Sequence, residues 1–539
     1  MILCIFNVKG FMGVFWEFYN NILNKKKFYI PVLLFSLIGY SFSIYSRTVS
    51  DDDLLRDFYI GDGGIMLSGR WGMVFLTRLL GLTEFDPFVD RFLALFFYVI
   101  ASVLLCYLFY TIGRSKNVIP YTLLASVYIT YPLFNEIWEY CVANFSVSIG
   151  ACIASIVVLI IRSNWARKKK VVVSGILMIF PMSTYESAIF YYIALVCVVI
   201  FYENYVDADC HFSLRRWINE SVIYYAPLLI AVCGRFIVSF VINSLYNLSY
   251  DSGGSTEINW LRSEDVWSLF LSTINSNIFY YIVSALVYFP ISIFVIMMFL
   301  FIVILINNRE KRLFFLGGVI VVATFLQAII QGGNLPYRHA QTVTLFVSFV
   351  AYMIAITRYR YVFIQRIVFV GLFVLCWHQA VYVNRILGLN NLRSNNEADV
   401  IRKVGYRLTS EYDKKPVVFV SPYKINKYID KQVTVDETTW NGKLFNSICN
   451  KMQLERPYKY VVTNVNCATA EYHQIQGLFS YFGYDINVIM PINNSDKKLF
   501  KEALYLAKRI KMKPYQIFDQ GDYIIVKLGE ELFPEDGVF

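Results

Sequence analysis

Phe88–Ile112 reads FVDRFLALFFYVIASVLLCYLFYTI, and after Asp90 and Arg91 no charged residue interrupts it. A helix needs about 20 mostly apolar residues to cross a hydrocarbon core about 30 Å thick, so this stretch reads as a membrane span. Similar runs recur at 28–45, 118–134, 141–161, 171–186, 187–202, 221–244, 283–306, 313–331, 342–357 and 367–385, which with 88–112 makes eleven predicted spans. The composition agrees: of 539 residues, 57% are hydrophobic, 18% aromatic and only 16% charged, with a mean hydropathy of +0.50. Soluble globular chains carry about 25% charged residues, so a soluble enzyme, a disordered chain, a collagen and a disulfide scaffold are all excluded.

The net charge of +10 is read as topology and not as a nucleic-acid partner. Lys25–Lys27, Arg114 with Lys116, Arg162 with Arg167–Lys170, Arg215–Arg216, Arg309–Arg312, and Arg358 with Arg360 and Arg366 fall on alternate connections. Positive residues collect on the cytoplasmic side, which predicts a cytoplasmic N-terminus and, after an odd number of spans, a C-terminus on the opposite face. Residues 1–27 are expected at the membrane surface, with Phe6, Phe11, Phe15, Trp16 and Phe18 facing lipid. The mid-span charges are few, Arg235 and the pair Asp90–Arg91 being the clearest, and His378 is expected at a helix–helix contact.

Residues 386–539 form a polar tail in which the β-like runs Pro416–Val420, Tyr460–Val462 and Tyr523–Val526 alternate with helical stretches such as Leu499–Ile510. A small α/β domain outside the membrane is predicted there, and Cys449 and Cys467 suit a bridge in an oxidising compartment. The other eight cysteines lie in or beside apolar runs without a CxxC pattern and read as packing residues.

The chemistry is expected in the outer connections. The first, 46–87, is long and charged: it opens with Asp51, Asp52 and Asp53 and carries Arg70, Trp71 and Arg78. A carboxylate at the membrane boundary can take a proton from a sugar hydroxyl, although Ser50 and the three aspartates also suit a helix N-cap. Adjacent carboxylates are also compatible with a divalent cation, and no cofactor is otherwise required. Arg70, Arg78, Arg338 and His339 are basic groups on the side where positive charge is unusual, and arginine binds phosphate through two parallel hydrogen bonds. A salt bridge from Arg70 or Arg78 to a nearby aspartate is the competing reading. Glu136, Trp138, Glu139 and Tyr140, and then Tyr185 with Glu186, put acids beside aromatics, a pattern that suits both sugars and an interfacial aromatic belt. A Walker A loop, HExxH and GxSxG are absent from the sequence.

Taken together, Ser50–Asp53, Ser68-Gly69-Arg70-Trp71-Gly72, Tyr131-Pro132 and Asn135–Tyr140 resemble the serotype-converting O-antigen glucosyltransferases of the Gtr type, within the GT-C class of polyprenyl-phosphate-sugar-dependent enzymes. The resemblance implies a GT-C-like transmembrane region over 28–385 in the bacterial inner membrane with its active face periplasmic. It implies undecaprenyl phosphate-glucose as donor, lipid-linked O-antigen as acceptor, inversion at the anomeric carbon and an aspartate among Asp51–Asp53 as base, with Asp52 or Asp53 preferred. Arg70, Arg78, Arg338 and His339 would then hold the donor phosphate, and Trp71, Glu136, Trp138, Glu139, Tyr140, Tyr185 and Glu186 the sugars. The competing readings are a flippase for polyprenyl-linked sugars, which needs ionisable groups near the midplane, and an O-antigen polymerase or ligase, which places its large outer loop late.

Overall fold

The computed structural model describes residues 8–45, 62, 65–66, 69–82, 87–131, 144–206, 214–246, 265–274, 301–306, 310–332, 341–357, 362–412, 414–421, 443, 447, 472–489, 494–529 and 532–533. Asp51–Asp53, Glu136, Trp138, Glu139, Tyr140, Arg338, His339, Phe6, Cys449, Cys467 and the run 460–462 lie outside the described residues.

Helix dominates. The chain starts with α1 (Val8–Phe18), a π-helical turn (Tyr19–Leu23) and α2 (Lys26–Tyr45). It continues through α3 (Trp71–Leu79), α4 (Pro87–Gly113), α5 (Val118–Thr130), α6 (Asn144–Arg162), α7 (Arg167–Thr184), α8 (Ser187–Val206) and α9 (Leu214–Leu245). Then follow α10 (Val266–Thr273), α11 (Lys311–Thr324), α12 (Leu326–Gln331), α13 (Gln341–Ile356) and α14 (Val362–Glu411). Among the described residues, five helices are long and apolar enough to cross a bilayer, in α4, α6, α8, α9 and the first half of α14. Large apolar side chains on α9 and α14, such as Leu229, Phe240, Phe363 and Val370, are exposed, as lipid-facing residues are.

Each predicted span other than 283–306 coincides with a helix, and only 301–306 of that one lies in described, helical chain. Several expectations change. The run 313–331 is two helices broken at Phe325. The last span does not stop at 385: α14 runs on unbroken to Glu411, and its far end supplies Ile401, Val404 and Leu408 to a second core. Phe18 does not face lipid. It is fully buried against Tyr107 and Tyr110, with ring centroids 5.4 Å away in each case, because that face of α1 packs on α4. Trp16, on the other face, is exposed. His378 is on the exposed side of α14, stacked on Tyr382 of the same helix. Asp90 and Arg91 sit in the first turn of α4, not in the middle of a span.

The bundle interior is rich in tyrosine, and several of the hydroxyls are hydrogen-bonded inside the core. Tyr40 donates to the Ile129 carbonyl, Tyr98 to the Tyr128 carbonyl, and the Tyr128 and Tyr191 hydroxyls meet at 2.9 Å. Helices α7 and α9 pack closely, with Ile230 against Gly175 and Ile179 against Gly234, a small-residue approach typical of helix pairs in lipid.

The second core is an α/β unit. Its three-stranded sheet has the order β1 (Val417–Ser421), β3 (Ile524–Lys527), β2 (Gln516–Asp519), with β1 parallel and β2 antiparallel to β3. The parallel pair needs a long crossover, and α15 (Tyr472–Tyr481) and α16 (Asn494–Arg509) lie within it. Strands β1 and β3 read as apolar runs because both are buried, whereas β2 is half exposed and carries no such signal.

Candidate active site: two arginines on one carboxylate

Helix α7 ends at Thr184 and α8 begins at Ser187, which leaves Tyr185 and Glu186 in the tight connection between them. Both are buried, at 3% and 6% exposure. An acid in that position is stable only if it is paired. Glu186 has two partners: Arg70 Nη2 donates to Oε2 at 3.3 Å and Arg235 Nη2 to Oε1 at 3.1 Å. Burial alone would push the Glu186 carboxyl up. The two guanidiniums and a backbone hydrogen bond more than offset this and hold it below the usual carboxylate range. The Arg70 guanidinium also lies 5.0 Å from the centroid of the Tyr185 ring, a cation–π contact.

The motif Gly69-Arg70-Trp71-Gly72 has a structural reason at each residue. Gly69 has φ of +77°, which disfavours any side chain, and a Cβ there would come to 3.0 Å from Arg235 Nη2. Gly69 is therefore pressed directly onto the second arginine. Arg70 leads into α3, and a Cβ on Gly72 would collide with Ser183, so only glycine lets α3 seat against the end of α7. Trp71 is half-buried, and its indole N–H is enclosed with no hydrogen-bond partner among the described residues. The buried residues of α3 are Gly72, Met73, Val74, Leu76 and Thr77.

Of the residues predicted for the site, Arg70, Tyr185 and Glu186 thus come together, with Trp71 following Arg70 in the chain. Arg78 takes the competing reading: it pairs with Asp62 at 2.8 Å in an exposed salt bridge. The sequence grouped Glu186 with sugar contacts, but both of its oxygens face guanidiniums. Arg235, which the sequence marks only as a mid-span charge, joins the site. It lies level with the α7–α8 connection because α9 starts at the other end of its span, and a rise of ~1.5 Å per residue carries residue 235 most of the way across. The available signal was a lone arginine in an apolar helix, which has a functional role by default. Arg70, Glu186 and Arg235 together carry one net positive charge, with side chains 24%, 8% and 15% exposed. Two guanidiniums converging in so dry a place present planar donor forks of the kind that bind oxyanions.

Residues 41–355, more than half of the chain, match the family described as glucosyl transferase GtrII. No curated protein and no solved structure matches the chain.

Proposed function

The chain belongs to the GtrII glucosyl transferase family and is a glycosyltransferase; from that premise we propose that it moves glucose from undecaprenyl phosphate-glucose to a sugar of lipid-linked O-antigen. The observation that carries the reading is the Arg70–Glu186–Arg235 cluster. A polyprenyl phosphate is an anion at the membrane boundary, and it becomes more negative as the sugar leaves. Two guanidiniums fixed in advance stabilise that developing charge without reorganising. Glu186 acts here as a positioning residue, since it holds both arginines at once. Trp71, whose indole N–H is enclosed without a hydrogen-bond partner among the described residues, is read as a further donor to the same group.

The acceptor hydroxyl oxygen attacks the anomeric carbon of the donor, and the bond from that carbon to the phosphate oxygen breaks. The bonding pair leaves with the phosphate, and the hydroxyl proton passes to an aspartate, Asp52 or Asp53 in our reading, with Asp51 as the third member of the cluster. Direct displacement inverts the configuration. Arg338 and His339 contribute to phosphate binding from the segment before α13, and Glu136, Trp138, Glu139 and Tyr140 to acceptor binding from the segment before α6. No cofactor is needed for these steps, and a divalent cation at the aspartates would add charge stabilisation. The reading places the enzyme in the bacterial inner membrane, with eleven spans, the N-terminus cytoplasmic and the α/β unit periplasmic.

The test is transfer by the purified protein in detergent from undecaprenyl phosphate-glucose to lipid-linked O-antigen, for wild type and for Asp52→Asn and Asp53→Asn separately. Product from wild type and loss in one folded variant supports the reading and identifies the base. Absence of product, with movement of the donor across liposomes instead, contradicts it in favour of a flippase.

A further inference from the structure

A second polar feature lies in the interior, at the end of the bundle where α5 stops and α6 and α13 start. Tyr128 is two residues from the end of α5, Ser148 is in the second turn of α6, and Gln341 and Thr344 open α13. Together with Tyr98 they line a cavity of about 10 Å³. A space of roughly 10–15 Å³ holds one water molecule, which is also the size of one hydroxyl group.

The polar groups around the cavity fall into two sets. The Tyr98, Tyr128 and Gln341 side chains are engaged elsewhere, Gln341 Nε2 donating to Ser187 Oγ at 2.8 Å, next to Glu186. The Ser148 and Thr344 hydroxyls are not. Their residues are 1% and 2% exposed, and neither oxygen has a hydrogen-bond partner among the described residues. Helical serines and threonines often satisfy themselves on the preceding turn, and several in this bundle do; the Ser126, Ser146, Ser174 and Ser221 hydroxyls also have no partner among the described residues, but Ser148 and Thr344 are the two that line one cavity. Ser155 donates to the Ala151 carbonyl, Thr130 to the Ser126 carbonyl and Ser348, one turn beyond Thr344, to the Thr344 carbonyl. A buried hydroxyl without a partner is unfavourable, and two of them, on two helices, belong to residues that line one hole of hydroxyl size.

We propose that this cavity binds a single neutral O–H group, which donates to one of the Ser148 and Thr344 oxygens and accepts from the other. Two sources share that chemistry: a hydroxyl of the hexose being transferred and a resident water. The hexose source rests on the function proposed above; the water source does not. The Gln341–Ser187 hydrogen bond places this cavity one residue from the carboxylate that organises the arginines, so either occupant is coupled to the anion site through a rigid connection.

The experiment uses full-length protein in detergent and compares wild type with Thr344→Val, Ser148→Ala and the hydroxyl-retaining Thr344→Ser. Thermal unfolding without ligand is measured first, then thermal protection and turnover with undecaprenyl phosphate-glucose and with its singly deoxygenated analogues. A sugar hydroxyl is identified if wild type discriminates against one deoxy donor by about tenfold, Thr344→Val removes that discrimination, and Thr344→Ser restores it. A resident water is identified if Thr344→Val lowers the unfolding temperature and leaves donor discrimination unchanged. An unfolding temperature that stays level or rises, together with unchanged discrimination, means that the hydroxyls are simply orphaned and overturns the proposal. If the wild type neither turns over nor binds the donor, the function proposed above fails, and the sign of the unfolding shift still decides this site.

Discussion

The membrane bundle and the C-terminal α/β unit solve the same packing problem with opposite residues. The bundle hides tyrosines and hydroxyls and shows apolar side chains: Tyr128, Tyr191 and Thr130 are buried, while Phe240 on α9 is 74% exposed. The α/β unit hides Val418, Phe419 and Ile525 and exposes a largely charged face on α16. The difference is the solvent. Where lipid surrounds the chain, apolarity no longer separates inside from outside, so a polar residue inside a span marks either a helix contact or a site. In the α/β unit the ordinary rule holds, and an apolar run marks a buried strand.

The comparison is sharpened most by core deletion in the α/β unit. Phe419 is fully buried with its ring centroid 5.3 Å from that of Phe479, so Phe419→Ala should cost about 3–5 kcal/mol of that unit's stability. Limited proteolysis should then open the tail while donor binding by the bundle persists; loss of both together would break the distinction. Arg235→Ala removes one of the two guanidiniums on Glu186 and, on the proposed function, should lower kcat/KM for the donor about 10²–10³-fold, with Arg235→Lys keeping part of it. Lysine supplies the charge but not the planar fork, so full rescue would mean that charge alone, without two-pronged hydrogen bonding, carries the effect.

Next in size is a substitution read by two solvents. Phe240 and Tyr505 are exposed to similar extents, 74% and 66%. Phe240→Asp should impair membrane insertion by up to about 3 kcal/mol, whereas Tyr505→Asp, on the water-facing side of α16, should be neutral in yield and melting. Equal effects would mean that α9 does not face lipid. Gly69→Ala should cost about 1 kcal/mol from its positive φ and also displace Arg235, raising KM for the donor more than it lowers stability. The smallest effect is that of pH. Because Glu186 is held below the ordinary value of ~4.3, the stability it contributes is complete above that value and is lost only as pH falls through the depressed one. Donor affinity should therefore be flat from pH 7 to 5 so far as this group is concerned.

These contrasts also explain what was legible in advance. Spans were readable because length and apolarity are the signal, and α2, α4, α6, α8 and α13 lie where the runs lie. Faces were not readable, because an apolar helix in lipid carries little amphipathic contrast; Phe18 was assigned to lipid and proved to be core. The Gly69–Gly72 motif stood out as residues, but its meaning depends on Ser183 and Arg235, far away in sequence. Arg235 was visible as an oddity without a partner, and only the fold supplies Glu186. In the α/β unit, β1 and β3 were legible through their apolar runs, while β2, partly solvent-facing, was not.

The central claim is that an arginine pair bridged by Glu186 receives a lipid phosphate during sugar transfer. The most direct test is donor kinetics with purified protein, undecaprenyl phosphate-glucose and a lipid-linked acceptor, comparing wild type with Arg70→Ala and Arg235→Ala. The account predicts transfer by wild type and a loss of about 100-fold or more in kcat/KM for each variant while both remain folded. Wild-type transfer that neither substitution slows would contradict it.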